Sequence, residues 1–303
     1  MKVVALAGGT GSAKLLRGLQ KLSVDLAVVA NVGDNAWIHG VYVCPDVDIA
    51  TYTLAGLADP RGWGVKGDTF SALDGLSKLG ADAWFRLGDR DLSTSLYRTE
   101  MLRKGATLTQ AADRIRRALG VASPVLPVTD SEVETWVHTP KGMMHLQEFW
   151  VRERGAPAVL GVSYRGVRRA RVTPGVKSAL SAADRIVLCP ANPITSLGPM
   201  LAVPGLVRAL SASRGRTVAL SPMVGRAPFS GPAGKFLRAA GVRPDSVGVA
   251  RRYASFLDGL LISKTDSSMK GLIESLGVKC AASNTLMRDS EDEVRLAKEL
   301  LEL

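Results

Sequence analysis

Residues 3–20, VVALAGGTGSAKLLRGLQ, set a β-branched apolar run, a loop of small residues and the start of an amphipathic helix in succession. That order makes an anion site, because a helix N-terminus offers unpaired N–H groups and glycines let a ligand touch the backbone. Gly8, Gly9, Thr10 and Gly11 form the loop, and Lys14 follows it as a cation for phosphate. Neither common phosphate-loop pattern is met. A Walker-type loop from Gly8 needs glycine at Ala13 and a hydroxyl at Leu15, and a dinucleotide fingerprint from Gly9 needs glycine at Lys14.

Carboxylates and amides cluster next. Asn31 and Asp34 follow the apolar run 26–30, where a doubly wound fold presents side chains to ligand. Pro45 and Asp46 open a helical segment; Asp46 reads as an N-cap or a metal ligand, and Asp48 as a hydroxyl acceptor or a magnesium ligand. In LGDRD (87–91), Arg90 between two acids either pairs with them or is held rigid to clamp a planar polar ligand. In CPANPITSLGP (189–199), the prolines stiffen a strand-end loop whose Asn192, Pro193, Ile194, Thr195 and Ser196 read as nucleotide contacts. SGPAGKFL (230–237) repeats the small-residue, lysine and helix order, and two anion loops on facing halves suit a diphosphate. His39, His138 and His145 lack metal-ligand spacing, and three scattered cysteines, Cys44, Cys189 and Cys280, point to neither a zinc site nor a disulfide framework.

These residues need a scaffold, and the apolar rhythm supplies one. Strand-like runs at 3–7, 26–30, 158–162, 185–189, 217–221, 259–262 and 278–281 alternate with helical periodicity, the pattern of a parallel sheet covered on both faces. Thr107 with Gln110 makes a capping box, Thr173 with Pro174 opens another helix, Gly120 and Gly241 stop two, and SEDEVRLAKELLEL is a terminal helix. The rhythm breaks over 36–150, which reads as an inserted cap of helices and a β-hairpin lying over the sheet edge. The expected architecture is α/β, a Rossmann-like doubly wound, mainly parallel sheet in one domain over 1–303.

At 46% hydrophobic and 22% charged the composition is globular, and cysteine usage suits a reducing, cytoplasmic setting. No leader peptide is legible, and prolines interrupt the uncharged stretch 186–207, so no membrane span is expected. The net charge of +11 is spread along the chain, and aromatics at 5% leave no row of stacking platforms. A phosphorylated small molecule is therefore the expected partner, not nucleic acid.

Taken in order, GGTG, CPDVDIATY, GDTF, LGDRD, GMMHLQEFWV, NPITSLGP and SGPAGK resemble the 2-phospho-L-lactate transferase family of coenzyme F-420 biosynthesis over nearly the whole chain. The resemblance implies a homodimer, Mg²⁺, and transfer of phospholactate from lactyl-2-diphospho-5′-guanosine to the deazaflavin Fo with release of GMP. It places Asp48, Arg90 and Asn31 against Fo, makes Asp48, Arg90 and Asp46 the catalytic set, and puts the glycine loop and the Asn192 loop on the guanosine diphosphate, with Asp46 as the metal candidate. Non-catalytic nucleotide-sugar-binding regulators share the GGTG loop and give the alternative reading.

Overall fold

The computed structural model describes residues 1–225, 227, 228 and 231–303. In chain order, β1 (Lys2–Ala7), α1 (Gly11–Gln20) and β2 (Asp25–Ala30) open the fold. The hairpin β3 (Ala36–Ile38) and β4 (Val41–Val43) leads into α2 (Pro45–Leu54), α3 (Ser71–Lys78), α4 (Asp89–Arg103) and α5 (Leu108–Ala118). Strands β5 (Val125–Pro127), β6 (Glu134–Thr139), β7 (Gly142–His145) and β8 (Gly161–Arg165) precede α6 (Pro174–Ala182) and β9 (Arg185–Leu188). Then come α7 (Leu197–Ala202), α8 (Leu206–Ser211), β10 (Arg216–Leu220) and the hairpin β11 (Met223–Val224) and β12 (Ala227–Pro228). The chain closes with α9 (Ala233–Ala239), α10 (Ser246–Tyr253), β13 (Gly259–Ser263), α11 (Lys270–Glu274), β14 (Lys279–Ser283) and α12 (Ser290–Glu302).

Seven strands form one sheet in the order β14-β13-β10-β9-β1-β2-β5, and every neighbouring pair is parallel. The expected α/β, Rossmann-like architecture is present. Both faces are covered, so the central strands are apolar throughout: Val3, Ala5, Leu6, Val28, Val29, Ile186, Val187 and Val218 are all fully buried. Chain order departs from β1 toward β2 and β5 on one side and toward β9, β10, β13 and β14 on the other. The switch point therefore lies at the carboxyl ends of β1 and β9, where open α/β sheets bind ligand.

Two expectations are corrected here. The run 158–162 is not a strand of the main sheet; its end enters β8, which pairs antiparallel with β6 in a separate three-stranded sheet with β7. The residues of β8 are half-buried or exposed, and those of its partner β6 alternate between buried and half-buried, as suits a sheet with one wet face. The seventh strand is β5 instead, so the region 36–150 gives a strand to the central sheet as well as supplying helices and the β6–β7 hairpin. Pro127 is tolerated there because β5 is an edge strand. The helix signals hold: Thr107 and Gln110 form the reciprocal capping box of α5, and the Thr173 hydroxyl accepts from Val176 N–H at the start of α6.

Candidate active site

The register sets the loops side by side. Ala7 pairs with Ala30 and Leu6 with Leu188, so Gly8, Asn31 and Pro190 leave the sheet at one level. Gly9 adopts φ +67°, a left-handed conformation open to glycine. A Cβ on Gly8 would sit 3.0 Å from Ser196 Cβ and 3.1 Å from Asn31 Cβ, and one on Gly11 would stand 2.3 Å from the Pro190 carbonyl oxygen. The glycines thus let the β1 loop nest between the other two. The Ser12 hydroxyl donates to Gly8 O and accepts from Gly8 N–H, locking the turn from below. Among the described residues the amides of Thr10 and Gly11, at the N-terminus of α1, donate to no protein acceptor, which leaves them for an anion.

Asp46 is buried and is not the N-cap of α2, a position held by Cys44. Its carboxylate crosses between elements, accepting Gly9 N–H at 2.6 Å and Asn31 Nδ2 at 2.8 Å. The same Asn31 amide reaches Asp34 at 2.8 Å, and Asn31 Oδ1 accepts Gly33 N–H. Burial pushes the Asp46 carboxyl up to about 6 against the two hydrogen bonds that hold it down, and burial with the charge of Asp46 raises Asp34 well above the ordinary range. Two carboxylates that share one amide beside a phosphate loop are a fitting seat for a magnesium ion, which takes one or two carboxylates and leaves its other positions to water and substrate phosphate. Among the described residues no group of three His, Cys, Asp or Glu side chains converges as a complete protein cage.

The β9 loop is pinned rather than open. Asn192 Oδ1 accepts from Ile194 N–H and Thr195 N–H, the Asn192 carbonyl accepts from Ser196 N–H, Arg252 donates to Pro193 O at 3.1 Å, and Tyr164 donates to Ile194 O. Its amides being spent internally, this loop presents side chains, with the buried Ser196 hydroxyl against Gly9. Lys14 does not turn toward the glycine loop; its ammonium donates to Met287 O at 2.6 Å. Lys235 of the second expected anion loop is likewise committed, to the carbonyls of Gly155, Ala156 and Pro157, and Ser230 lies outside the described residues. The crevice behind Gly8, Gly9, Ser12 and Asp46 is too tight to admit a water-sized molecule, so it is not a nucleotide pocket.

LGDRD resolves differently from its simplest reading. Asp89 accepts from Ser71 and Ala72 N–H, both at 3.0 Å, and caps α3, while Asp68 of GDTF accepts from Arg90 N–H at 2.9 Å and Asp91 N–H at 3.2 Å and caps α4. Arg90 pairs with neither of its flanking acids; its guanidinium is exposed at the first turn of α4 and makes no hydrogen bond among the described residues. Asp48 is paired instead with Arg98, a residue the sequence reading missed. Arg98 is wholly buried, donates one nitrogen to Asp48 Oδ1 and another to Tyr42 O at 2.9 Å, and is kept charged by that carboxylate. The Tyr52 hydroxyl, one turn after Asp48, donates to Asp91 Oδ1 at 2.9 Å. Burial and the Asp48 charge push Asp91 up to about 7. Burial also holds the thiols of Cys44 and Cys189 up at about 12, outside nucleophilic or metal chemistry at neutral pH.

The family model of 2-phospho-L-lactate transferase CofD matches residues 3–295. The 2-phospho-L-lactate transferase of Methanosarcina mazei is 37% identical over 299 residues, covering 98% of both chains, and that of Methanopyrus kandleri is 41% identical over 308 residues, covering 100% of this chain and 97% of its own. The phosphoenolpyruvate transferase of Streptomyces griseus is 38% identical over 312 residues, covering 100% of this chain and 98% of its own. A crystal structure of a UPF0052 family member from Bacillus halodurans superposes with TM-score 0.67 at 18% identity over 99% of this chain and 100% of that one, a likeness of fold. With a parallel sheet whose switch point carries the glycine loop, and a match running over almost its whole length, the chain belongs to the 2-phospho-L-lactate transferase CofD family.

Proposed function

We propose that the protein transfers a phosphorylated three-carbon acid from its guanosine diphosphate conjugate, lactyl-2-diphospho-5′-guanosine or the enolpyruvyl equivalent, to the terminal ribityl hydroxyl of the deazaflavin Fo, releasing GMP. The observation that carries this reading is the meeting, at one switch point, of free helix-terminal amides at Thr10 and Gly11 with the paired acids Asp34 and Asp46. Relatives bearing lactate and enolpyruvate names match to similar extents, so both donors belong in the assay.

In this reading the diphosphate rests on the Gly8–Gly11 backbone, with Ser196 and the Asn192 amide nitrogen along its other side. Asp46 and Asp34 are the carboxylates that would hold Mg²⁺, and the ion supplies neutralisation of phosphate charge. Asp46 also fixes Gly9, so the loop amides are set before the donor arrives, which is how phosphoryl transfer is helped most. Arg90, exposed at the mouth of α4, is the side chain able to approach a planar acceptor, and the Asp48–Arg98 pair forms the rigid wall behind it. The reading includes a homodimer as the working unit.

The test offers the purified protein, Mg²⁺ and Fo with each guanylylated donor and follows GMP and the phosphoacyl-deazaflavin by chromatography. Stoichiometric appearance of both supports the transferase. Tight binding of a nucleotide sugar with no turnover of either donor would establish the regulator reading instead.

A further inference from the structure

Residues 31–35, between β2 and β3, carry Asn31 and Asp34, and the three-stranded cap sheet β7-β6-β8 holds them from one side. The backbone N–H of Thr135, on β6, donates to Gly33 O at 2.7 Å. A Cβ on Gly33 would stand 2.5 Å from Pro199 Cβ and 2.8 Å from Thr135 Oγ1, so the loop is close-packed on both sides. Just past β7, the buried Gln147 donates its side-chain amide to Asp34 O at 3.0 Å. Its own backbone N–H donates to His145 Nδ1 at 3.1 Å, and the His145 ring meets Trp136 of β6 edge to face, with centroids 6.1 Å apart. A folded turn thus aims the Gln147 amide.

We propose that Gln147 is a positioning residue for the metal: by holding the Asp34 backbone it directs the Asp34 carboxylate to the seat shared with Asp46. This rests on the reading of Asp34 and Asp46 as the magnesium carboxylates. Asp34 is tied at both ends. Asn31 Nδ2 holds its Oδ1 at 2.8 Å and Gln147 holds its carbonyl, so neither the side chain nor the peptide plane behind it turns freely. Asp46 is fixed separately, by Gly9 and Asn31. Among the described residues Gln147 makes no hydrogen bond to Asp46 or to the glycine loop, so the loss of its amide reaches the metal through Asp34 alone. Magnesium demands near-ideal octahedral geometry, and a carboxylate that wanders costs affinity. Outer partners that orient a metal's ligands are typically worth about 10- to 100-fold in metal binding.

The experiment measures Mn²⁺, which takes the same octahedral oxygen sites, on the full-length protein in its GDP complex by electron paramagnetic resonance. GDP affinity without metal and the melting temperature are measured beside it. Gln147→Met keeps the length of the side chain and removes its donor. It should weaken Mn²⁺ binding about 10- to 100-fold and raise the Mg²⁺ needed for half-maximal turnover by a similar factor, with metal-free GDP affinity at the parent's value. Ser163→Ala removes the His138–Ser163 hydrogen bond internal to the cap; it should lower the melting temperature and leave Mn²⁺ affinity as it was. A Gln147→Met protein that binds Mn²⁺ like the parent overturns the inference. Equal losses of Mn²⁺ and of metal-free GDP overturn it too, as does a Ser163→Ala protein that loses as much Mn²⁺. Should Gln147→Met prove insoluble, Gln147→Asn, whose amide falls one methylene short, carries the same expectation. A parent complex that binds no Mn²⁺, or an Asp34→Asn complex that binds it fully, fails the metal reading itself, an outcome separate from these.

Discussion

The carboxylate of Asp46, at the start of α2, accepts the backbone N–H of Gly9, in the loop between β1 and α1, at 2.6 Å. This contact spans 37 residues of sequence and joins the loop that would bind phosphate to the helix that would carry the metal. Asn31 completes it by donating to the other Asp46 oxygen.

Asp46→Ala should therefore cost both stability and ligand. It strands the Gly9 amide and half of the Asn31 amide in a buried site, a loss of about 1–3 kcal/mol. Urea unfolding should show that decrease, and calorimetric titration should show weakened GDP binding. Unchanged stability with unchanged GDP affinity would mean the brace is incidental.

Gly11 tests the nesting of the loops. Because an added Cβ would press on the Pro190 carbonyl at 2.3 Å, even Gly11→Ala should force the β1 and β9 loops apart, at about 1–3 kcal/mol of strain. Thermal melting and GDP titration should fall together. A Gly11→Ala protein as stable as the parent would show that the loops part freely.

Asp48→Asn should be read as a stability change before it is read as a catalytic one. It leaves the Arg98 guanidinium buried without its counter-charge, which costs about 3–5 kcal/mol. Removing both charges, in the Asp48→Asn, Arg98→Met pair, should recover much of that loss, and a double-mutant cycle in urea measures the coupling. Strictly additive losses would deny the pair its structural role.

The strands were legible because fully buried parallel strands are unbroken β-branched runs, and β1, β2, β9, β10, β13 and β14 lie where those runs stand. β5 escaped notice since three residues ending in proline carry no periodic signal. The glycine loop, Asn31 and the Asn192 loop could be placed at strand ends, and Asp46 at a helix start, by position alone. The seam between α2 and α4 could not. Its inner face of Asp91, Ser95 and Arg98 reads as surface on a single helix, and the partner that makes Arg98 a core residue is 50 positions away. The exposure of Arg90 was readable only in part, because the capping of α3 by Asp89 and of α4 by Asp68 is a tertiary exchange over 17 to 23 residues.

Stability should fall as pH rises through neutrality in the absence of metal and substrate. The carboxyls of Asp46 and Asp91 are raised from 3.8 to about 6 and about 7, so the folded state holds more protons than the unfolded chain across that interval. Their contribution is fully present below pH about 4 and is lost as pH climbs through 6 and 7. The melting temperature should thus decline from pH 5 to pH 8, and Asp91→Asn should flatten the upper part of the decline. A melting temperature that rises over the same range would contradict the burial of these charges.

The most direct test of the transferase itself is whether GMP release depends on the deazaflavin. With the guanylylated donor and Mg²⁺ present, GMP should appear only when Fo is added, one equivalent for each phosphoacyl-deazaflavin formed, and excess chelator should stop it. GMP released at the same rate without Fo, or undiminished turnover in chelator, would contradict the assignment of Asp34 and Asp46 to the metal and of the α2–α4 face to the acceptor.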